Sequence, residues 1–405
     1  MKSMTVGVVL SHPFHVGLGT DFRLLNQVYP LTKFGIKLKV ISQFGPGPTR
    51  ETDGVQYHCL NGFPSLYEEA YRVSRYLLNQ PVLARQTLRS SHYLDWSIGS
   101  FAKKLERFLS RENIDVLLAV HQLAAGACSR IRPNLRPPVI ADIHGIWAEE
   151  MVDSGYLAPG SKQADVAFKF EEKCLRGVDM ILVVSNELGY RLSMKYSIAS
   201  QRFVVIDPCI APRVAEPKRS QMRSKVVCPA TSTHREGLEL LLRGMAIVQR
   251  DFPQSQLFLT RKGDTLSKMQ RLAKELRVHP EYFYFPDISR FYAFLQNCDI
   301  GVVTSSRDMT RLVSYPAKLY DYLAVGLPIV ANDIGGWSRI IRDAEAGILT
   351  DSTPEALAGG ISTLMRDPAR AFELGNNGLE YLRSKLRPQE RLETLLKVLT
   401  TVDYV

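Results

Sequence analysis

The sequence predicts an α/β chain built as two doubly wound parallel-sheet (Rossmann-like) domains facing a cleft. Three observations carry this. Apolar runs of strand length alternate with helical stretches along almost the whole chain, the pattern of parallel sheets covered by helices. The alternation breaks once, between residues 206 and 225, where three prolines and few bulky apolar residues mark a linker. With 405 residues, 45% of them hydrophobic, each half has enough apolar content for a core of its own.

In the first half, strands are expected at residues 5–10, 37–42, 116–120, 139–142 and 180–184, where β-branched and aliphatic residues run together without helical spacing. The opening apolar run is too short for a signal peptide and stops at His12-Pro13, so it reads as a first buried strand. It leads into a turn containing Gly17 and Gly19, then a helix ending near Gly35. A dinucleotide site would want a third glycine where Phe22 stands and an acid where Ser42-Gln43 close the second strand, so a nicotinamide or flavin is not expected. In the second half, strands are expected at residues 226–228, 256–259, 282–285, 299–304 and 327–331, and a last helical stretch from 369 to 402 breaks near Pro388. The expected limits are 1–207 for the first domain, 208–225 for the linker, 226–385 for the second domain and 386–405 for a C-terminal helix.

Ligands of open parallel sheets bind beyond the carboxyl ends of strands, which directs attention to His121, His144, Arg261 and Lys262. The most informative segment follows them. Pro316 suits the first turn of a helix, Gly326 its stop, and the branched residues after Pro328 a buried strand. Lys318 and Asp321 then share one face in the first two turns, where free amides and the dipole favour an anion. Two readings fit the pair by itself. Either a diphosphate lies there, with Asp321 accepting from ribose hydroxyls, or the two form a surface ion pair that contributes about 0.2–0.5 kcal/mol.

The net charge of +10 implies attraction to something anionic. Residues 66–111 hold eight Lys/Arg against four acids, interleaved with aromatic residues, and suit an anionic membrane surface or an ordinary solvated helix face. The basic residues are otherwise scattered, so a nucleic-acid protein is not expected. Six cysteines without Cys-x-x-Cys spacing indicate neither a zinc site nor a disulfide framework, and reduced thiols in a cytoplasm are the plain inference.

The string from Pro316 through Lys318, Asp321, Tyr322, Leu323, Ala324 and Gly326 to Pro328 closely resembles the donor-binding segment of retaining, family 4 type glycosyltransferases of the GT-B fold. The likeness spans nearly the full chain and is strongest over residues 299–347. It implies that Gly17 and Gly19 belong to a Gly-Gly-x-Gly turn whose first glycine is Val16 here, and that His121 lies beside the transferred sugar. It also implies that the C-terminal helix crosses back to the first domain. Two departures stand out. Glu236-Gly237 replaces the Lys-Gly pair of the phosphate loop, and Val313 stands where the first of two glutamates would be, Asp321 replacing the second. Glu236 is therefore expected to turn away from the diphosphate, leaving Arg235, Arg261 or Lys262 to supply positive charge.

The resemblance implies a metal-independent, hexosyltransferase-type enzyme. It would move a sugar from a nucleoside diphosphate sugar to a glycan or lipid-linked acceptor hydroxyl with retention, its nucleotide being substrate and no further cofactor being required. Catalysis would rest on His121, Lys318 and Arg235. Donor contacts would come from Gly17, Gly19, Arg261, Lys262, Ser305, Ser306, Pro316, Lys318 and Asp321, and His144 would line the acceptor pocket. The expected setting is cytoplasmic, peripheral at the inner membrane face. A nucleotide-sugar epimerase on the same fold and a non-catalytic partner subunit are the alternatives, the latter because Glu236 and Val313 replace expected site residues.

Overall fold

A computed structural model describes residues 4–11, 24–44, 50–52, 54–61, 91–208, 210–215, 224–261, 263, 265–285 and 287–402. By internal contacts these divide into two units, one of residues 4–11, 28–207 and 392–402, the other of residues 24–27 and 208–391.

The first unit holds an eight-stranded sheet. In chain order its strands are β1 (Thr5–Leu10), β2 (Lys37–Phe44), β3 (Arg50–Thr52), β4 (Val55–Asn61), β5 (Val116–Val120), β6 (Val139–Ile143), β7 (Met180–Val183) and β8 (Phe203–Val205). Their spatial order is β3-β4-β2-β1-β5-β6-β7-β8, all parallel except the edge strand β3, which folds back antiparallel on β4. Val8 pairs with Val40 on one side and Leu118 on the other, so chain order reverses across β1 and β5. That switch point opens a crevice at the strand ends. The β3–β4 edge carries polar residues and is half exposed, which is why its composition does not announce a buried strand.

The second unit has six parallel strands in the order β11-β10-β9-β12-β13-β14. These are β9 (Lys225–Cys228), β10 (Gln256–Thr260), β11 (Glu281–Phe283), β12 (Ile300–Val303), β13 (Ile329–Asn332) and β14 (Gly347–Thr350). Its switch point lies between β9 and β12. One face of the sheet packs on Tyr320, Tyr322 and Trp337, the other on Leu241, Met245 and Leu357. Tyr322 fixes the helix Ala317–Val325: its hydroxyl donates to the carbonyls of Val227 (2.9 Å) and Val302 (3.1 Å), and its ring covers Gly301, where a Cβ would come within 2.7 Å. Gly326 ends that helix at φ +67°, a left-handed stop.

The C-terminal stretch breaks as the sequence suggests. Helix Pro368–Tyr381 passes through a wider turn, Leu382–Leu386, before helix Pro388–Thr401. In the basic region, helix Ser91–Leu109 buries Ile98, Phe101, Ala102 and Leu105 in the core and leaves Lys103, Arg107 and Trp96 exposed. Arg85 and Arg89 lie outside the described residues. No helix among the described residues is long and apolar enough to cross a membrane.

Candidate donor site and histidine pair

At the switch point of the second unit, the turn His234–Glu236 after β9 meets the loop after β12. Gly237 makes the approach possible: it has φ +61°, and a Cβ there would lie 2.9 Å from the Ser305 amide nitrogen. The two segments are stitched together. Ser306 N (3.0 Å), Ser305 Oγ (3.3 Å) and Ser306 Oγ (3.2 Å) donate to the Arg235 carbonyl, and Thr304 Oγ1 donates to the Glu236 carbonyl (2.8 Å). Ser305 is held from behind by Asn332, which accepts from its amide and donates to its carbonyl.

Glu236 does not turn away. Its carboxylate accepts hydrogen bonds from both Lys318 and Arg311. Burial would raise this carboxyl, but the charges of Arg311 and Lys318 outweigh burial and hold it at about 2. The physical reason is charge balance: two cations brought together by the short helix Met309–Val313 and the helix Ala317–Val325 need an anion, and the turn after β9 supplies it. Arg235 lies beside this group, its Nε 3.8 Å from Asp308 Oδ2, which also accepts from Ser306 Oγ at 2.6 Å. Three cations and two carboxylates leave this cluster one net positive charge.

Lys318 and Asp321 are not an exposed pair; they are 7% and 6% exposed, and Lys318 bonds Glu236 rather than Asp321. Asp321 instead accepts from the Tyr292 hydroxyl at 2.8 Å, and the Arg213 guanidinium lies 4.5 Å from the centre of the Tyr292 ring. Burial pushes Asp321 up to about 7, only partly offset by Tyr292, Arg213 and Lys318. Pro316 sits one position earlier than expected, capping the helix rather than starting its first turn. Beside Asp321 a small pocket opens, walled by Phe283, Tyr284, Phe285 and Phe291, with Lys318 at its margin. Arg261 is exposed, its amide bonded to the Phe283 carbonyl. Gly17, Gly19 and Lys262 lie outside the described residues.

In the first unit, β5 and β6 end side by side and deliver His121 and His144. Their rings meet edge to face with centroids 4.5 Å apart. His121 adopts φ +65°, a left-handed backbone uncommon in residues other than glycine. His144 Nε2 lies 2.9 Å from Asp142 Oδ2, which is itself buried. A separate groove of about 1020 Å³ lies at the opposite, amino end of the sheet, around Lys37, Arg111 and Asn134, and contains none of these residues.

Comparison with known proteins fits this arrangement. The family model Glycosyltransferase Family 4 matches residues 29–213, and the model Glycosyl transferases group 1 matches residues 214–381. The chain belongs to the family 4 glycosyltransferases of GT-B fold. This glycosyltransferase is 22% identical over 320 residues to a D-inositol 3-phosphate glycosyltransferase of Corynebacterium glutamicum, across 73% of this chain and 75% of the relative. It is 25% identical over 187 residues to a GDP-mannose-dependent alpha-(1-6)-phosphatidylinositol monomannoside mannosyltransferase of Mycolicibacterium smegmatis. That match spans 42% of this chain and 46%, under half, of the relative. Among solved structures it resembles sucrose-phosphate synthase of Thermosynechococcus elongatus, with a TM-score of 0.75 over 98% of both chains at 16% identity.

The sequence did not point to Tyr292 or Arg213 as neighbours of Asp321, or to Arg311 as a partner of Glu236.

Proposed function

We propose that this glycosyltransferase takes a hexose from a nucleoside diphosphate sugar and transfers it, with retention and without a metal ion, to a hydroxyl of a glycan or lipid-linked acceptor. The observation that carries this reading is the joining of a cation cluster (Lys318, Arg311, Arg235) to an aromatic pocket that ends on Asp321. The pocket suits a base and ribose, Asp321 accepting from ribose hydroxyls, and the cations suit the diphosphate that departs with negative charge. Side-chain cations then do the work a divalent ion does in other transferases. Ser305 and Ser306 border the position of the sugar, and Gly17, Gly19, Arg261 and Lys262 belong to the donor set by family likeness. His121 faces the transferred sugar and His144 the acceptor. A relative named for GDP-mannose and a phosphatidylinositol mannoside supports a lipid-linked acceptor, and the net charge of +10 supports docking at an anionic membrane.

Purified protein incubated with UDP-, GDP-, ADP- and TDP-sugars tests the reading. One donor should be hydrolysed slowly without acceptor, and its nucleotide should stabilise the fold by about 2.7 kcal/mol at 100 times its dissociation constant. Nucleotide binding without hydrolysis or transfer from any donor would favour a non-catalytic partner subunit, and an altered sugar on intact donor an epimerase. Flotation on anionic vesicles, lost as salt rises, tests the membrane; absence of binding at low salt would make a soluble acceptor the better reading.

A further inference from the structure

Glu171 stands on the helix Lys162–Arg176 with no exposed surface, and among the described residues no cation pairs with it. Its carboxylate accepts from four donors instead: the Tyr196 hydroxyl (2.6 Å), the Trp147 amide (2.7 Å), the Gln122 side-chain amide (2.8 Å) and the Ala148 amide (3.2 Å). Burial pushes its carboxyl up to about 7 in spite of these bonds. An enclosed carboxylate is costly to keep, so the identity of its donors matters.

Three of the four belong to the segments that carry the histidine pair. Gln122 follows His121 directly, and its amide also donates to the Gly145 carbonyl at 2.7 Å, next to His144. Trp147 and Ala148 close the same loop from its other end. The left-handed backbone of His121 is a conformation that persists only where its surroundings over-determine it.

We infer that Glu171 is a positioning residue for the His121–His144 pair, gathering the end of β5 and the loop after β6 onto one carboxylate so that the two rings hold their edge-to-face arrangement. This deepens the proposed transfer reaction and rests on the reading of His121 as the group beside the sugar. The two ideas can fail separately.

Three substitutions test it. Glu171→Gln keeps the shape but turns an amide group toward donors, and Gln122→Ala removes the link to His121. Each should lower kcat about 10- to 100-fold with donor KM within about twofold, the scale of a small misplacement at a reacting centre. The double variant should fall no further than the worse single one. Tyr196→Phe removes a donor that belongs to neither histidine segment. It should lower Tm while leaving kcat unchanged. Imidazole NMR titrations supply a readout independent of turnover: the His121 and His144 ring signals should shift in Glu171→Gln and Gln122→Ala, and stay in place in Tyr196→Phe. Wild-type kcat and ring signals in folded Glu171→Gln and Gln122→Ala would overturn the inference. So would a loss of kcat in Tyr196→Phe equal to theirs. Gln122→Ala carries the test if Glu171→Gln does not fold. If the wild type transfers no sugar, the ring signals still decide whether Glu171 positions the pair.

Discussion

Glu236 and Asp321 are carboxylates of one unit, both largely enclosed, and they are driven in opposite directions. Glu236 is held at about 2 and Asp321 is pushed up to about 7. Depth does not separate them, since the Glu236 side chain is 13% exposed and Asp321 is 6% exposed. Their partners do. Glu236 has two cations in direct contact, whereas Asp321 has a tyrosine hydroxyl and only distant positive charge. The comparison teaches that the cluster keeps one net positive charge on one side and is short of donors on the other. A ligand that brings negative charge to Lys318 and hydroxyl donors to Asp321 would correct both.

Lys318→Ala should have the largest effect, because it removes a cation from the proposed diphosphate position and leaves Glu236 with Arg311 alone. Transfer should fall by about 10²–10³, the scale set by losing one preorganised charge-stabilising donor. Stability should fall as well, since Lys318 is buried. Adding Glu236→Gln should restore part of the stability while transfer stays lost, a double-mutant cycle that urea denaturation and initial rates would close. Restored transfer in the double variant would mean that Lys318 serves only to neutralise Glu236.

Glu236→Gln alone sharpens the other half of the comparison. Breaking a fully buried pair costs about 3–5 kcal/mol, and partial exposure reduces this to about 2–3 kcal/mol. Folding lowers this carboxyl from 4.5 to about 2, so its contribution is present above pH 4.5 and is lost as pH falls toward 2. The variant should therefore lack that acid-limb decline in stability. Freed of their internal anion, Lys318 and Arg311 should bind nucleoside diphosphate more tightly than in the wild type. Weaker binding by calorimetry would mean that Glu236 aims the two cations rather than competing for them.

The fold was legible because alternation of buried runs is a local signal, repeated at each strand of β1, β2, β5 to β7, β9, β10, β12 and β13. The polar strands β3 and β4 at one edge carry no such run, and the edge strand β8, though apolar, is only three residues long. The positions of His121, Lys318 and Asp321 were legible for a similar reason: each lies at the end of a strand or the start of a helix. Their partners were not. The i, i+3 spacing offered Asp321 to Lys318, yet the structure gives Lys318 to Glu236, 82 positions away in sequence, through a meeting of loops that no periodicity records. The expectation that Glu236 turns away from a diphosphate fails for the same reason, since nothing local in the sequence places Arg311, its second partner, beside it.

Asp321→Asn tests the uncompensated side. Folding raises this carboxyl from 3.8 to about 7, so between those values the folded chain holds a proton that the unfolded chain has released. Wild-type stability should therefore fall as pH rises from about 4 to 7, then level off. The asparagine variant should lose Asp321's share of that decline and be more stable at pH 8 by about 4 kcal/mol, with the difference vanishing near pH 4. Because Glu171 is also raised to about 7, the difference between the two proteins, rather than either curve alone, isolates Asp321. Equal curves would place its carboxyl in the ordinary range.

The smallest effect concerns donor affinity. Ribose hydroxyls donate to a carboxylate, so a bound nucleotide favours the ionised form of Asp321 and lowers its affinity for protons. Binding should then release a proton near neutrality, and affinity should rise through about pH 7 and flatten above it, by up to about tenfold or roughly 1.4 kcal/mol. The intact nucleoside diphosphate sugar is the right probe, because its phosphates are esterified and do not titrate in this range, whereas a free diphosphate does. Calorimetry in two buffers of different ionisation enthalpy counts the proton directly. Asp321→Asn should bind several-fold more weakly at pH 8 and show no slope. A flat profile in the wild type, with no proton released, would mean that the ribose does not meet Asp321, and that its carboxyl serves Tyr292 and the packing of the helix Ala317–Val325 alone.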